Sequence, residues 1–397
     1  MIINGKRALA YIVAIDSISA IEGADNIELA HVGGWNVIVK KTEFKPGDYG
    51  VFFEIDSKLP ETEWAEFLRP KHFKVKTYKL GKFKVISQGL VLPFSAFKDT
   101  EQYYKLINLK PWENDVTELL GVTYAVEEDN ARKSNKVDKE QKYNRMAARH
   151  PKLAKQGWFK YLMKREWGRK LLFIFFGKKK DNPKTFPDWI KRTDEERVEN
   201  MKWILESKEP WVVTEKIDGT STTVFLDLSK RKEEFGVCSR NVRQVDINQT
   251  NYHSSEIEGN VYWEMVLKYD MKKALKRISE QYPDVKRIVL QGETYGANLQ
   301  GNPYKLNDRR FAAFNLIFDG ERLGSLNAKA ILESVNIPFV PIIETEYILP
   351  DDFEEFKLTA DGKSVISPAH RRAGYVYRSL DGKQSFKNVS REFLLRK

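Results

Sequence analysis

Cysteine is nearly absent from the chain: one residue, Cys238, in 397. A single thiol excludes a disulfide framework and a thiolate-rich zinc site. Histidine is almost as scarce. The five residues His31, His72, His150, His253 and His370 lie far apart with no HExxH-type spacing, so no histidine-built metal centre is expected. Long apolar runs are missing too. The longest, Leu171 to Phe176, is far too short to cross a bilayer. The opening MIINGKRALAYIVAID lacks the apolar core and small-residue cleavage site of a secretory signal. The expectation is a soluble, cytoplasmic chain without a membrane span. No internal repeat or low-complexity tract is visible. What remains is 41% hydrophobic and 12% aromatic, enough to build real cores, over a length that suggests two or three domains.

Acidic residues are scarce in one place. The chain has a formal net charge of +11, but Ala131 to Lys180 alone carries 17 Lys and Arg against three acids, Asp138, Glu140 and Glu166. The rest of the chain is slightly acidic. The same segment holds Trp158, Phe159, Tyr161, Trp167 and the LLFIFF run, and its proline-free part, 152–176, is expected to be helical. Three readings fit this pattern. Cations among aromatics meet phosphates and stack on bases in a nucleic-acid surface. They also decorate the solvated side of an ordinary apolar helix. Or they sit at a membrane surface.

Residues 1 to about 105 read as β-rich, with the strand-like runs ALAYIVAIDSI, WNVIVK, YGVFFEI and KFKVISQGLVLPF between Gly33-Gly34 and Pro46-Gly47-Asp48 punctuation. Several short strands in this length suggest a small barrel, an OB-fold being one economical closure. Residues 106–185 read as a basic, helix-leaning connector. From 186 to 397 strands dominate, with a helical pattern after an N-cap-like Thr193 and one helix around 262–281.

The segment WVVTEKIDGTSTTVFLDL, 211–228, reads as strand, turn and strand. Lys216 and Asp218 are two apart, so on an extended strand they share a face. A lysine there becomes an amine nucleophile only by losing its proton, which desolvation and a metal held by Asp218 favour. Alone, K-x-D-G is also an ordinary surface hairpin. Cys238, with no histidine partner in view, reads as a small strand residue.

Downstream stand CSRN (238–241), IVLQGETYG (288–296), NLQGNPY, FAAFNLIFDG (311–320), RRAGYVYR (371–378) and SFKNVS (385–390). In order and spacing, K-x-D-G, S-R-N, G-E-x-x-G, aromatic strand, G-x-V-x-R and F-K resemble the nucleotidyltransferase motifs of covalent polynucleotide ligases and capping enzymes. The N-terminal stretch from IEGADNIELAHV to YGVFFEI resembles an OB module. With the nucleotidyltransferase region last, the chain resembles the fifth clade of ATP-dependent RNA ligases over about 1–105 and 186–397.

The resemblance implies an α+β protein: an N-terminal OB-type barrel (1–105), a helical basic insertion (106–185) and an ATP-grasp-like nucleotidyltransferase domain of antiparallel sheets with flanking helices (186–397). It implies that Lys216 attacks the ATP α-phosphate to give lysyl-AMP, with Asp218 and Glu293 on a Mg2+ or Mn2+ ion. Arg240 would contact ribose or phosphates, Phe314 would stack on adenine, and Lys387 would contact the α-phosphate, with Gly219 and Val376 lining the nucleotide. Glu215 would touch adenine or face solvent. Tyr295 and Leu299-Gln300-Gly301-Asn302 would add a permissive loop nearby. Each residue also has a structural reading: core packing for Phe314, a turn cap for Glu293, a rim ion pair for Arg240, an edge-strand lysine for Lys387. The expected partner is RNA, or a nicked duplex with an RNA 3′-OH strand, sealed to a 5′-phosphate end by a monomer.

One position departs from the family. The fourth motif normally begins with glutamate, and here that place is Ala373. Deliberate inactivation, another acid in its place, and a natural RNA-end-binding protein without catalysis all fit. A capping enzyme, a DNA ligase or tRNA binding through the N-terminal module are the remaining alternatives.

Overall fold

The computed structural model describes residues 1–3, 6–83, 85–125, 153, 155–176, 185–244 and 260–396. They form two compact units, one of Met1–Ile55, Val75–Val116 and Pro183–Lys397, the other of Asp56–Lys74 and Thr117–Asn182.

The first unit begins with strands β1 (Ala10–Ala14), β2 (Ser17–Ala20), β3 (Ile27–Val32), β4 (Trp35–Lys40), β5 (Tyr49–Phe53) and β6 (Leu90–Pro93). They make two antiparallel three-stranded sheets, β6-β5-β1 and β2-β3-β4. On β4, Trp35, Val37 and Val39 are buried while the residues between them are not, the alternation of a one-sided strand. Gly33, at φ +58°, turns β3 into β4. The expected run ALAYIVAIDSI is not one strand. It breaks at Ile15-Asp16, and β1 and β2 enter different sheets. β3, with mostly half-buried residues, has no clean alternation to announce it.

In the second unit the proline-free stretch is two helices rather than one, α1 (Gly157–Met163) and α2 (Glu166–Phe176). They approach closely at Gly168, where a Cβ would come within 2.3 Å of the Leu162 carbonyl oxygen. Of the basic segment 131–180, residues 131–152, 154 and 177–180 lie outside the described residues.

The remainder of the first unit has two five-stranded sheets. One runs β7-β16-β15-β8-β14, built from β7 (Glu196–Arg197), β8 (Trp211–Glu215), β14 (Ile342–Tyr347), β15 (Gly374–Ser379) and β16 (Ser385–Val389). Its β7–β16 pair is parallel and the rest antiparallel. The other, wholly antiparallel, runs β10-β9-β11-β12-β13, from β9 (Thr220–Asp227), β10 (Glu234–Cys238), β11 (Arg287–Gly296), β12 (Arg309–Phe318) and β13 (Glu321–Arg322). Helices α3 (Val261–Lys268), α4 (Met271–Gln281) and α5 (Ser325–Ser334) bury Trp263, Leu275, Ile278 and Leu332 against Val224, Leu290 and Leu316 of the second sheet. Helix α6 (Phe353–Thr359) packs Phe353 and Phe356 on Trp211, Tyr377 and Phe386 of the first.

Two helix expectations fail. After Thr193 there is no α-helix: Glu196–Arg197 pairs with β16, short 3-10 turns follow, and the Thr193 hydroxyl bonds Ser221 at 2.9 Å instead of capping. Tertiary pairing overrides a helical pattern whose Arg197 and Glu199 are buried. The helix of 262–281 is broken at Tyr269-Asp270, with Asp270 at φ +45°. The break lets α3 and α4 each bury a face.

Candidate active site

Strand β8 ends at Glu215, and the chain passes from one sheet to the other through Lys216, Ile217, Asp218 and Gly219 before β9 begins. The Lys216–Asp218 pair therefore does not stand on a strand, as its two-residue spacing suggested. It stands on the crossover between the sheets. Three contacts pin that crossover. The Lys216 N–H donates to the Gly374 carbonyl at 2.9 Å, and the Asp218 N–H donates to the Tyr304 hydroxyl at 2.8 Å. At Gly219 a Cβ would come within 2.3 Å of the Thr294 carbonyl oxygen, so only glycine lets β11 approach this closely.

Asp218 is buried and Lys216 half-buried. Glu293, on β11 opposite Ser221, accepts a hydrogen bond from the Gly219 backbone. Burial pushes its carboxyl up to about 7; the Lys216 and Arg240 cations pull it down while the Asp218 charge pushes it further up. Lys387 on β16 is 9% exposed, and burial lowers its ammonium to about 7, helped by repulsion from Arg7, Arg197 and Lys216 and opposed by Asp194. Glu293 thus feels the charges of Lys216, Asp218 and Arg240, and Lys387 feels that of Lys216.

Arg240 sits on the turn after β10 and places Nη2 2.6 Å from Asp194 Oδ1. The Arg240 and Lys387 cations hold Asp194 below the usual carboxylate range despite its burial. Cys238 is fully buried at the end of β10, and burial pushes its thiol up to about 12, which makes it an inert strand residue.

Phe314 occupies a β-bulge. Gln291 pairs with Asn315 and Gly292 with Ala313, leaving Phe314 unpaired and re-aimed. It is half-buried, with the Arg378 guanidinium 5.8 Å from its ring. Val376 pairs with both Thr214 and Lys387, so it lies on the same face of the first sheet as that lysine. The Glu215 carboxylate does not face solvent. It accepts from Ser364 Oγ and, at 2.7 Å, from the Val365 N–H, and burial raises its pKa against these bonds. In the loop after Tyr295, Asn298, Gln300, Gly301 and Asn302 all have positive φ, which carries Tyr304 back under the crossover and into edge contact with Tyr295. Ala373 is buried, and its neighbour Gly374 is the residue that anchors Lys216.

Four residues of this neighbourhood escape sequence reasoning. Tyr304 was in view only as the end of NLQGNPY and Asp194 only as part of the stretch after Thr193, and neither carried a role in the site. Glu195 accepts from buried Arg378 at 3.1 Å and from Arg322 at 3.3 Å. Arg378 was in view as the last residue of G-x-V-x-R, but only its burial beside Thr214 and Phe314 gives it a place. Among the described residues no group of three or more Asp, Glu, His or Cys gathers as a metal site. Asp218 and Glu293 are a pair of carboxylates, and the Asp218 charge pushes Glu293 up, a repulsion that a cation near both would relieve.

Comparison with known proteins completes the picture. Residues 209–390 match the RNA ligase family, and residues 9–94 match an OB-fold domain family. A search of curated proteins returned no match. Among solved structures, an alanine mutant of the Naegleria gruberi RNA ligase with AMP and Mn is 27% identical at TM-score 0.71, covering 98% of this chain and 99% of that one. Another mutant of that ligase, with ATP and Mn, is 26% identical with the same TM-score and coverage. The same ligase with PPi is 27% identical at TM-score 0.71, again over 98% and 99%. The chain therefore couples an N-terminal OB-fold domain to an RNA ligase domain, the make-up of an ATP-dependent RNA ligase.

Proposed function

We propose that the protein seals RNA ends, a 3′-OH to a 5′-phosphate, through lysyl-AMP and RNA-adenylate intermediates. The observation that carries this is the convergence of charges from four elements: Glu293 on β11 feels Lys216 and Asp218 of the crossover and Arg240 of the turn after β10, and Lys387 on β16 feels Lys216. Repulsion from Lys387 and partial burial favour loss of the Lys216 proton, a cation held by Asp218 and Glu293 would cancel their opposing pull, and the neutral amine is the nucleophile. Lys216 Nζ forms a bond to the α-phosphorus of ATP as the bond to pyrophosphate breaks. The 5′-phosphate of the RNA then takes the AMP from the lysine, and the 3′-OH displaces AMP to close the strand.

Lys387 and Arg240 hold the charge that grows on the phosphates as pyrophosphate leaves. Asp194 orients Arg240 through its 2.6 Å bond. Phe314, aimed by its bulge, supplies a ring face for adenine, with Val376 and Gly219 lining the nucleotide. Glu215 braces the 364–367 loop beside the base. Asp218 and Glu293 are the pair that would hold a Mg2+ or Mn2+ ion, whose charge would offset repulsion between polyphosphate oxygens and the incoming nucleophile. In this reading 1–105 is the OB module, 106–185 the basic connector and 186–397 the catalytic domain.

Ala373 favours a second reading, a binder of RNA ends that does not seal them. Incubation with ATP labelled at the α-phosphorus, followed by a denaturing gel, separates the two. Sealing predicts a labelled band that Lys216→Ala abolishes and labelled GTP does not give. Absence of the band in both the parent chain and Ala373→Glu, or its survival in Lys216→Ala, overturns the lysyl-AMP scheme.

A further inference from the structure

Helices α1 and α2 lie outside both matched regions, and their outer surface is unlike an ordinary solvated face. Trp158 is 49% exposed, Tyr161 52%, Trp167 55% and Phe175 73%. The inner face is ordinary: Phe159 and Leu172 are buried, and Gly168 lets the helices touch at the Leu162 backbone. The pair thus buries an inner face and leaves its large rings outside.

The charge around those rings has one sign. Residues 155–176 carry six Lys and Arg against a single acid, Glu166, which sits 3.2 Å from Lys170. Lys160, Lys164 and Arg165 follow Trp158 within two helical turns, and the Arg165 guanidinium lies 4.3 Å from the centroid of the Tyr161 ring. Stacked guanidinium and ring make a flat, positively charged platform, the shape and charge that a base and its phosphate require. Aromatics rather than aliphatics dominate the exposed set, Leu171 being the exception. That composition fits stacking on bases better than burial in acyl chains.

We propose that the α1–α2 pair is an accessory binding surface for single-stranded RNA, gripping the strand by stacking on Trp158, Tyr161 and Trp167 and by phosphate contacts from Lys160, Lys164 and Lys170. The proposal rests on the reading of the chain as an RNA-joining enzyme for its ligand. It adds a site outside the nucleotidyltransferase machinery, and strand capture there raises the local concentration of an end at Lys216 without sequence preference.

The test uses the full chain with a fluorescein-labelled single-stranded RNA and, separately, phosphatidylserine vesicles. Trp158→Ala with Trp167→Ala is expected to weaken RNA binding roughly tenfold or more, and Lys164→Glu with Lys170→Glu to lower the salt dependence of binding by about two phosphates. Trp158→Phe with Trp167→Phe keeps a stacking face and should restore most of the affinity, which a merely misfolded helix pair would not do. Label transfer from ATP to Lys216 stays unchanged in all three. RNA affinity within about twofold of the parent in both the alanine and the glutamate variants would overturn the proposal. So would loss of vesicle binding with RNA binding intact, which would make the surface a membrane contact. Lysyl-AMP formed neither by the parent chain nor by Ala373→Glu would end the sealing reading and leave the RNA-affinity result standing by itself.

Discussion

Lys387 shows how much one side chain is asked to do. Burial beside Arg7 and Arg197 lowers its ammonium from 10.5 to about 7. A cation with a depressed folded-state pKa contributes stability that is present above the unfolded pKa and lost as pH falls through the folded one. The parent chain should therefore lose stability relative to Lys387→Met between about pH 10 and about pH 7, by roughly 2–4 kcal/mol. Thermal unfolding of the two proteins at several pH values checks this, and parallel curves would refute it. If Lys387 holds developing phosphate charge as proposed, the same substitution should cut label transfer by about a hundredfold. Tyr304→Phe acts differently. It leaves the Asp218 N–H, now bonded at 2.8 Å, without its acceptor, at a cost of about 1–3 kcal/mol. It should slow lysyl-AMP formation roughly tenfold by loosening the crossover. Ala373 is the residue whose change should run the other way. Position 373 adjoins the carbonyl that anchors Lys216, so Ala373→Glu restores a carboxylate beside the nucleophile and should raise label transfer by orders of magnitude. Unchanged transfer in that variant would mean that the missing carboxylate does not limit the reaction. Lys216, Arg240, Glu293 and Lys387 came into view in the sequence through the order of motifs shared with polynucleotide ligases. The structure brings the charges of Lys216 and Arg240 to bear on Glu293, and that of Lys216 on Lys387. Tyr304 and Asp194 took no role there, because each acts only through a contact that the fold creates across tens of residues.

At the scale of elements, the crossover between β8 and β9 is the decisive piece, and Gly219 is its tightest point. Gly219→Ala must push either the Thr294 backbone or the crossover aside, an overpacking cost of about 1–3 kcal/mol. The expected outcome is a folded protein whose label transfer drops sharply, with circular dichroism and denaturant midpoint recording the fold and the gel recording the chemistry. Normal transfer would show that the position of Lys216 is not set by this contact. The same scale explains the errors of sequence reading. Strands with clean alternation such as β4 were plain, but β3 was hidden by its half-buried residues. The stretch after Thr193 has helical periodicity yet supplies Glu196 and Arg197 to a sheet edge that exists only once β16 is in place. A pattern of period 3.6 cannot report that its best partner lies nearly two hundred residues away. The bulge at Phe314 is equally silent in sequence, where the residue reads as one more inward strand position.

The OB-fold strands and the ligase sheets share one unit and one set of buried polar contacts. Asn200, just after β7, is the node. Its Oδ1 accepts from Trp35 Nε1 at 2.7 Å and from the Tyr11 hydroxyl at 3.1 Å, and its Nδ2 donates to Glu54 and to Glu196, each at 2.8 Å. Glu54 is fully buried, and against that burial the Met1 ammonium and Arg7, which both bond it, together with nearby Arg197 hold its carboxyl far below the usual range. Nearby, the buried Lys357 of α6 donates to the Gly34 carbonyl of the β3–β4 turn at 3.0 Å. Val389 and Leu394 from the C-terminal end join the core of Tyr11, Trp35 and Phe52. A polar node satisfied on all sides is costly to cut, because each partner is left desolvated. Asn200→Leu should therefore destabilise the protein by about 3–5 kcal/mol, more than a single lost hydrogen bond. Because the cut separates the β-barrel core from the ligase sheets, the variant should unfold in two steps where the parent unfolds in one. Urea unfolding followed by tryptophan fluorescence and by far-ultraviolet circular dichroism reads this directly: coincident curves for the parent, displaced curves for Asn200→Leu. Coincident curves in both, with a loss below about 1 kcal/mol, would mean that the apolar contacts of Val389 and Leu394 hold the two regions together and the polar node is incidental.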